Sequence, residues 1–252
     1  MKPIHVTGLG LWAPGFPTLA AWREGVADDA VVKPKCKLVD ARLKRGSSRF
    51  ANMLGEVVEQ AARAAELDVS TIPTFYGSSL GEIETMVTLL RMLYEEEGKL
   101  SPNRFKNSVH NAASGLLSIA TVNTAFSTAI AGGARSFETT LLEAWAWLED
   151  EGGAAVVAVA DDRAPEPLDA VDDHEALSIG VALSAEGSGP RLENLRIVAE
   201  VSRHAAMSEA MRANCASPGL ELAEAILSRR EGPVALSPIG GPQMVADLVL
   251  GA

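Results

Sequence analysis

The stretch FSTAIAGGARSFETT, Phe126 to Thr140, decides how this chain is read. An apolar run with strand character meets Gly132 and Gly133. It then enters Ser136 to Glu149, where Phe137, Leu141, Leu142, Trp145 and Leu148 recur at helical spacing. Many α/β enzymes present a nucleophile in this way, because the start of a helix favours negative charge. Here the corner holds two glycines, and neither carries an atom able to attack.

Outward from that corner the chain alternates strands and helices. Toward the N-terminus lie a strand over Ile4 to Leu11, a short helix over Leu19 to Gly25, and a helix over Arg49 to Leu67. The last has a stripe of Phe50, Met53, Leu54, Val57, Val58, Ala61 and Ala65, and Asp68 closes it. A strand over Thr74 to Ser78 follows, then a helix over Glu82 to Glu97 with Ile83, Met86, Val87, Leu90 and Leu93 on one face, and a helix over His110 to Thr121. Beyond the corner, Gly152 and Gly153 end the amphipathic helix. Ala154 to Ala160 and Ala176 to Ala185 are strands of the fully buried kind. The order is β-α-β-α-β-α-β-β, an α/β fold. After Pro190 the pattern restarts: strand Leu195 to Val201, helix Pro218 to Arg230, strand Val234 to Ser237, helix Pro242 to Leu250.

Composition narrows the function. The 252 residues are 47% hydrophobic and 22% charged, enough apolar material for a sizeable core, and the formal charge is −11. Such an acidic balance argues against a nucleic-acid partner, which requires a basic surface. From Lys33 to Arg49, however, seven basic residues face Asp40 alone, a local +6. That run reads either as a solvated loop and helix start or as a docking patch for a small acidic partner. Residues 107 to 134 carry no charge apart from His110, and their length raises the question of a membrane span. The polar residues Asn111, Ser114, Ser118, Thr121, Asn123 and Thr124 interrupt them too often, so they are expected to form a helix and a strand buried in the protein or at a subunit contact. Cys36 and Cys215 have no paired spacing, no signal peptide precedes them, and a reducing cytoplasm is expected. Cys36, between Lys35 and Lys37, is expected to be an exposed thiol with a lowered pKa. No cofactor or metal site is expected. Trp145 and Trp147 lie on opposite sides of their helix, so at least one should meet a partner or another core layer.

The segments VTGLGLWAPG (Val6 to Gly15), FYGSSLGEIE (Phe75 to Glu84), SPNRFKNSVHNAASGLLSIA (Ser101 to Ala120) and STAIAGG (Ser127 to Gly133) occur in the order and spacing of a β-ketoacyl synthase. Over residues 1 to about 165 the chain resembles that family, and within it the short ketosynthase-like chain-length factors of aryl polyene pathways. The resemblance implies a thiolase-like fold with an N-terminal half over residues 1–188 and an incomplete second half over 189–252. It places Gly132 where the catalytic Cys would be and Ser237, in VALSPIGGP (Val234 to Pro242), at the first catalytic His; the second would fall beyond Ala252. A non-catalytic subunit is implied, one that heterodimerises with an active ketosynthase and shapes its acyl cavity in type II polyketide synthesis. The strand Phe126, Ser127, Thr128, Ala129 would pair across the subunit axis. Asn107, Ser108, His110 and Asn111 would lie near that contact, and Met86, Leu90 and Phe105 would border the cavity. An acyl carrier protein would dock, directly or through the partner, with Lys33, Lys35, Lys37, Lys44 and Arg45 as candidates.

Three other readings compete. GSSLG, Gly77 to Gly81, fits the G-x-S-x-G elbow of a serine hydrolase with Ser79 as nucleophile, Asp161 or Asp162 as acid and His174 or His204 as base. A homodimeric acyl-binding module would need no synthase. Gly8, Gly10 and Ala13 match a dinucleotide fingerprint, but Pro14 and Pro17 stand where the phosphate-binding helix should begin.

Overall fold

The computed structural model describes residues 1–95, 100–170 and 173–251. Eight strands form one mixed sheet: β1 Ile4–Trp12, β2 Thr74–Gly77, β3 Ser127–Ile130, β4 Ala154–Asp161, β5 Leu177–Ser184, β6 Arg191–Val198, β7 Gly232–Ala235 and β8 Gln243–Val249. Their order is β3-β2-β4-β5-β1-β6-β8-β7. Strand β2 runs parallel to β3 and β4, while β5 is antiparallel to both β4 and β1. The helices are α1 Leu19–Glu24, α2 Ala41–Lys44, α3 Arg49–Ala64, α4 Ile83–Glu95, α5 Pro102–Lys106, α6 Ala112–Thr121, α7 Ser136–Glu151, α8 Glu209–Ala213 and α9 Ser217–Leu227. The end expected for α4 at Glu97 lies outside the described residues.

Two apolar layers sandwich the sheet. Along β4, Val156, Ala158 and Ala160 face α3 and α6, whereas Val157 and Val159 face α7 and α9. This two-sided burial is why β4 and β5 read as unbroken apolar runs. Helix α3 forms where its stripe demands. Ser48 caps its start by accepting the Ala51 N–H at 2.9 Å, and Phe50, Met53, Leu54, Val57, Val58 and Ala61 are buried beneath it. The helix sits close because β1 is glycine-rich. A Cβ on Gly8 would lie 2.3 Å from the Ala61 carbonyl oxygen, and one on Gly10 2.7 Å from Gln60 Cβ. Those glycines therefore seat a helix against a sheet, and the dinucleotide fingerprint has no role here.

The second part of the chain departs from the expected order. Pro242 to Leu250, read as a helix, is the strand β8, held antiparallel between β6 and β7. Met244, Val245, Ala246 and Leu248 are all buried, so this strand lacks the polar alternation that separates a strand from an interior helix. Strand β6 pairs with β1 through two residue pairs, Ile4 opposite Leu192 and His5 opposite Arg191. Strand β7 starts at Gly232 and β6 ends at Val198, slightly earlier than their apolar runs implied.

Candidate active-site seat and subunit contact

The corner is built as its sequence implied. Strand β3 ends at Ile130, Gly133–Arg135 makes a turn of 3₁₀ helix, and α7 begins at Ser136. The Gly132 N–H donates to Ser136 Oγ at 3.1 Å, and that hydroxyl donates to the Gly133 carbonyl at 2.7 Å. The space above Gly132 is occupied. A Cβ there would sit 2.5 Å from Thr139 Oγ1 and 3.2 Å from the Arg135 carbonyl group. Thr139 is held by donating to the carbonyls of Arg135 at 3.0 Å and Ser136 at 3.2 Å. The seat thus lacks a nucleophile and has been filled from the helix below.

Ser237, the other expected catalytic position, lies in the connection between β7 and β8. It is fully buried, donates its hydroxyl proton to Glu138 and accepts the Met244 N–H at 2.6 Å. Glu138 also accepts from Arg135 Nη1 at 2.6 Å, and Arg135 Nη2 donates to the Pro242 carbonyl at 2.8 Å. Arg203 donates to the Ser237 carbonyl at 2.6 Å and to Gln243. Hydrogen bonds through Arg135 and Glu138 link the two positions: the Gly132 carbonyl accepts the Arg135 N–H at 3.1 Å, and the Arg135 side chain meets Ser237 at Glu138. Sequence reading missed Arg135, Glu138 and Thr139, although the spacing of Glu138 and Thr139, three and four residues after Arg135, was visible.

The hydrolase elbow is a structural turn. Asp161, 1% exposed, accepts the Ser79 N–H at 3.0 Å, the Leu80 N–H at 3.1 Å and the Ser78 hydroxyl. A carboxylate committed to three donors of the turn is not placed to orient a catalytic base. The His174 Nε2 lies 2.9 Å from the Asp162 carbonyl oxygen, and Asp162 pairs with Arg49. His204 is exposed, and its backbone N–H donates to Glu221.

Cys36 corrects the expectation of an exposed, acidic thiol. It is fully buried with Sγ against Gly55, and burial pushes its pKa up to about 11, outweighing the opposing pull of Lys44. Cys215 is buried too, with its pKa raised by desolvation and by Asp161. Around Cys36, Lys33, Lys35, Lys37, Arg42, Lys44 and Arg45 remain exposed. Arg49 leaves that group: it pairs with Asp162 and stacks over Trp12 at 5.3 Å.

The expected contact residues are at the surface. Met86, Leu90, Phe105 and Phe126 are each more than 40% exposed. On α4 it is Val87 and Leu89 that turn inward, so the stripe expected to be buried as one face is split. Asn107 is half-buried and donates to the Gly46 carbonyl at 3.4 Å, and Ser108 donates to the Phe105 carbonyl at 2.8 Å. The half-buried ring of His110 rests on Gly81, and Asn111 is exposed at the start of α6. Leu93 of α4 is exposed as well, as are Tyr94, Val109, Ile119 and Val122, which were not singled out by sequence. Phe126 stacks on Trp147 at 6.2 Å and both meet Phe75, while Trp145 is fully buried with its indole N–H donating to the Lys2 carbonyl at 2.8 Å. Beside these residues runs β3, one of the two outer strands of the sheet. The other, β7, is protected from further pairing by Pro233. Ser127, Thr128, Ala129 and Ile130 include neither a proline nor a charge.

A cleft of about 410 Å³ opens between the start of α3 and helices α4 and α5, lined in part by Arg45, Arg49, Arg104, Glu82 and Glu84. Glu82 is 6% exposed, and burial raises its pKa to about 7 against the stabilising 2.8 Å hydrogen bond from Ser48.

Among solved structures, the chain superposes on one from the complex of ketosynthase ApeO with its chain length factor ApeC from Xenorhabdus doucetiae. The TM-score is 0.73 at 18% identity, over 98% of this chain and 100% of that one. The ishigamide ketosynthase/chain length factor gives a TM-score of 0.75 at 14% identity, with 100% of both chains covered. A type II polyketide synthase acyl-carrier protein complex with its hexaketide-bound ketosynthase gives 0.73 at 13%, over 98% and 99%. At these identities the likeness establishes the thiolase-like ketosynthase fold. A comparison with curated proteins gives no match. The family model for the β-ketoacyl synthase N-terminal domain matches residues 20–235, and with that span covered the chain belongs to the β-ketoacyl synthase family.

Proposed function

We propose that this chain is a chain-length factor, a subunit without acyl-transfer activity of its own that pairs with an active ketosynthase in type II polyketide synthesis of the aryl polyene kind. The observation that carries this reading is the filled seat: Gly132 offers no sulfur, and the Thr139 hydroxyl stands where a side chain would begin. A synthase needs a thiolate at that helix start and a histidine opposite it. In this chain the opposite position is Ser237, bonded to Glu138. The unprotected edge of β3 supports a subunit contact through Ser127, Thr128 and Ala129, flanked by Phe126, Asn107, Ser108, His110 and Asn111. Met86, Leu90 and Phe105, exposed on α4 and α5, are the residues we assign to the border of the partner's acyl cavity. The exposed Lys33, Lys35, Lys37, Lys44 and Arg45 are assigned to an acidic acyl carrier protein, and residues 189–252 to the start of a second thiolase-like half. Among the described residues no helix is long and apolar enough to cross a membrane, and the two buried free cysteines agree with a reducing cytoplasm.

The test is purification of the full chain alone and together with an active type II polyketide ketosynthase, followed by incubation with malonyl- and acyl-carrier protein. Intact mass should show acyl groups on the ketosynthase and none on this chain. An acylated form of the lone chain that elongates would overturn the proposal, and a stable homodimer indifferent to the ketosynthase would replace it with an acyl-binding module.

A further inference from the structure

Five described non-glycine residues have positive φ: Cys36, Glu66, Val122, Asn194 and Arg229. Val122 alone among them is β-branched, the side-chain type that tolerates this region worst. It closes α6 in the left-handed conformation, φ 55° and ψ 32°. The Asn123 N–H reaches back to the Ser118 carbonyl at 2.9 Å, the bond pattern in which glycine normally occupies the left-handed position. The chain uses glycine for this purpose at Gly25, which closes α1 with φ 69° and ψ 14°. Inside the fold the turn is held by Asn123, whose side-chain amide donates to the Val69 and Ile72 carbonyls at 2.9 and 2.8 Å, while the Val122 side chain itself is 79% exposed and gains no burial in the lone chain.

Its surroundings show where that burial would come from. Ile119, three residues back on the same face of α6, is 68% exposed, and Phe126, at the start of the open β3 edge, is 47% exposed. Residues 107 to 134 carry no charge apart from His110, so the patch lies in a neutral window of an acidic molecule. Helix α6 packs beside β3, which of the two outer strands of the described sheet is the one without a proline.

We propose that Val122 is an anchor of the subunit interface: the isolated chain holds it in a strained backbone so that, with Ile119, its side chain is buried against the ketosynthase subunit pairing along β3. This inference rests on the proposed ketosynthase partnership. It assigns opposite signs to one residue, a cost to the subunit alone and a gain to the complex.

The experiment compares full-length wild type with Val122→Gly, Val122→Asn and Val122→Thr. Thermal unfolding is followed for each chain alone, and affinity is measured for the active ketosynthase that pairs with the wild-type chain. Gly and Asn accept the left-handed conformation and should leave Tm of the lone chain unchanged or raise it by about 2–4 °C. Thr keeps the β-branch and gives no such gain. All three remove buried apolar surface from the complex and should weaken Kd about tenfold. Ile119→Ser, which leaves the strained position untouched, should weaken Kd without raising Tm. If the wild-type complex forms and Val122→Gly binds it equally well, the anchor role is overturned and the partnership stands. If Val122→Gly or Val122→Asn lowers Tm as much as Val122→Thr, the strain argument is overturned. If wild type binds no ketosynthase, the proposed function fails and this inference falls with it.

Discussion

Gly132→Cys restores the atom whose absence defines the seat, and the structure sets the cost. The new Cβ would sit 2.5 Å from Thr139 Oγ1, well inside contact distance, and 3.2 Å from the Arg135 carbonyl group. Arg135 belongs to the turn that starts α7 and cannot retreat without moving the helix, so Thr139 must rotate. Its hydroxyl then gives up the bonds to the Arg135 and Ser136 carbonyls, worth about 0.5–1.5 kcal/mol net. With residual crowding the total loss is about 1–3 kcal/mol. For a chain of this size a loss of about 2 kcal/mol lowers Tm by roughly 4–8 °C. Thermal unfolding of Gly132→Cys, Thr139→Ala and the double variant forms a double-mutant cycle. The double variant should be more stable than the sum of the single effects by about 1 kcal/mol. A strictly additive cycle would refute the claim that Thr139 fills the seat. In neither Cys-bearing variant should malonyl-dependent elongation appear, since the position across the seat is Ser237 and supplies no base. Measurable elongation would refute the account of the site as a whole.

Three further outcomes follow from the same geometry. Glu82 is a carboxyl group whose folded pKa is raised, to about 7 from 4.5, so the folded state holds a proton that the unfolded state has released. Stability on this account is greatest below about pH 4.5 and is lost as pH rises toward and through 7, by on the order of 2–3 kcal/mol. Glu82→Gln should flatten the pH profile of Tm between 5 and 8 and stabilise the chain at pH 8; an unchanged profile would mean that Glu82 stays ionised in the fold. Ser237→Ala leaves the buried Met244 N–H without its acceptor and Glu138 without one donor, which should cost about 1–3 kcal/mol in urea unfolding. A loss below 0.5 kcal/mol would show that the network adds little. Reversing Lys35, Lys37 and Lys44 to Glu removes the local excess of +6 and should weaken capture of an acidic carrier protein. The residual wild-type affinity should fall steeply with salt, and equal capture by the triple variant at low salt would exclude a docking role.

What sequence could show here depended on whether a residue's neighbours were close along the chain. Helix α3 was legible because Phe50, Met53, Leu54, Val57 and Val58 repeat at a period only a helix satisfies, and α7 because Gly152 stops it. The bend at Gly132 was legible because strand, glycines and helix follow without a gap. Strand β8 was hidden by its own burial, since a strand flanked by β6 and β7 needs no polar face. Cys36 was misread for the reason that applies to any lone thiol. Flanking lysines are visible in sequence, but the Gly55 hollow that buries the sulfur is 19 residues away and comes close only through the fold.

The same limit explains why the filling of the seat went unseen while its emptiness did not. A missing cysteine is a property of one position, and occupation by Thr139 depends on how the turn before α7 is wound, whereas closure by Arg135, Glu138 and Ser237 joins α7 to the β7–β8 turn, about 100 residues apart. That closure changes the meaning of Gly132. A subunit that had only lost its nucleophile would keep an open seat, which a single Cys would rebuild. Here the same space is taken up by packing and hydrogen bonds that the fold uses for stability. On the proposed reading, a Cys at Gly132 would have to break a stabilising contact before it could supply any chemistry, so folding energy as well as the absence of sulfur opposes activity at this corner.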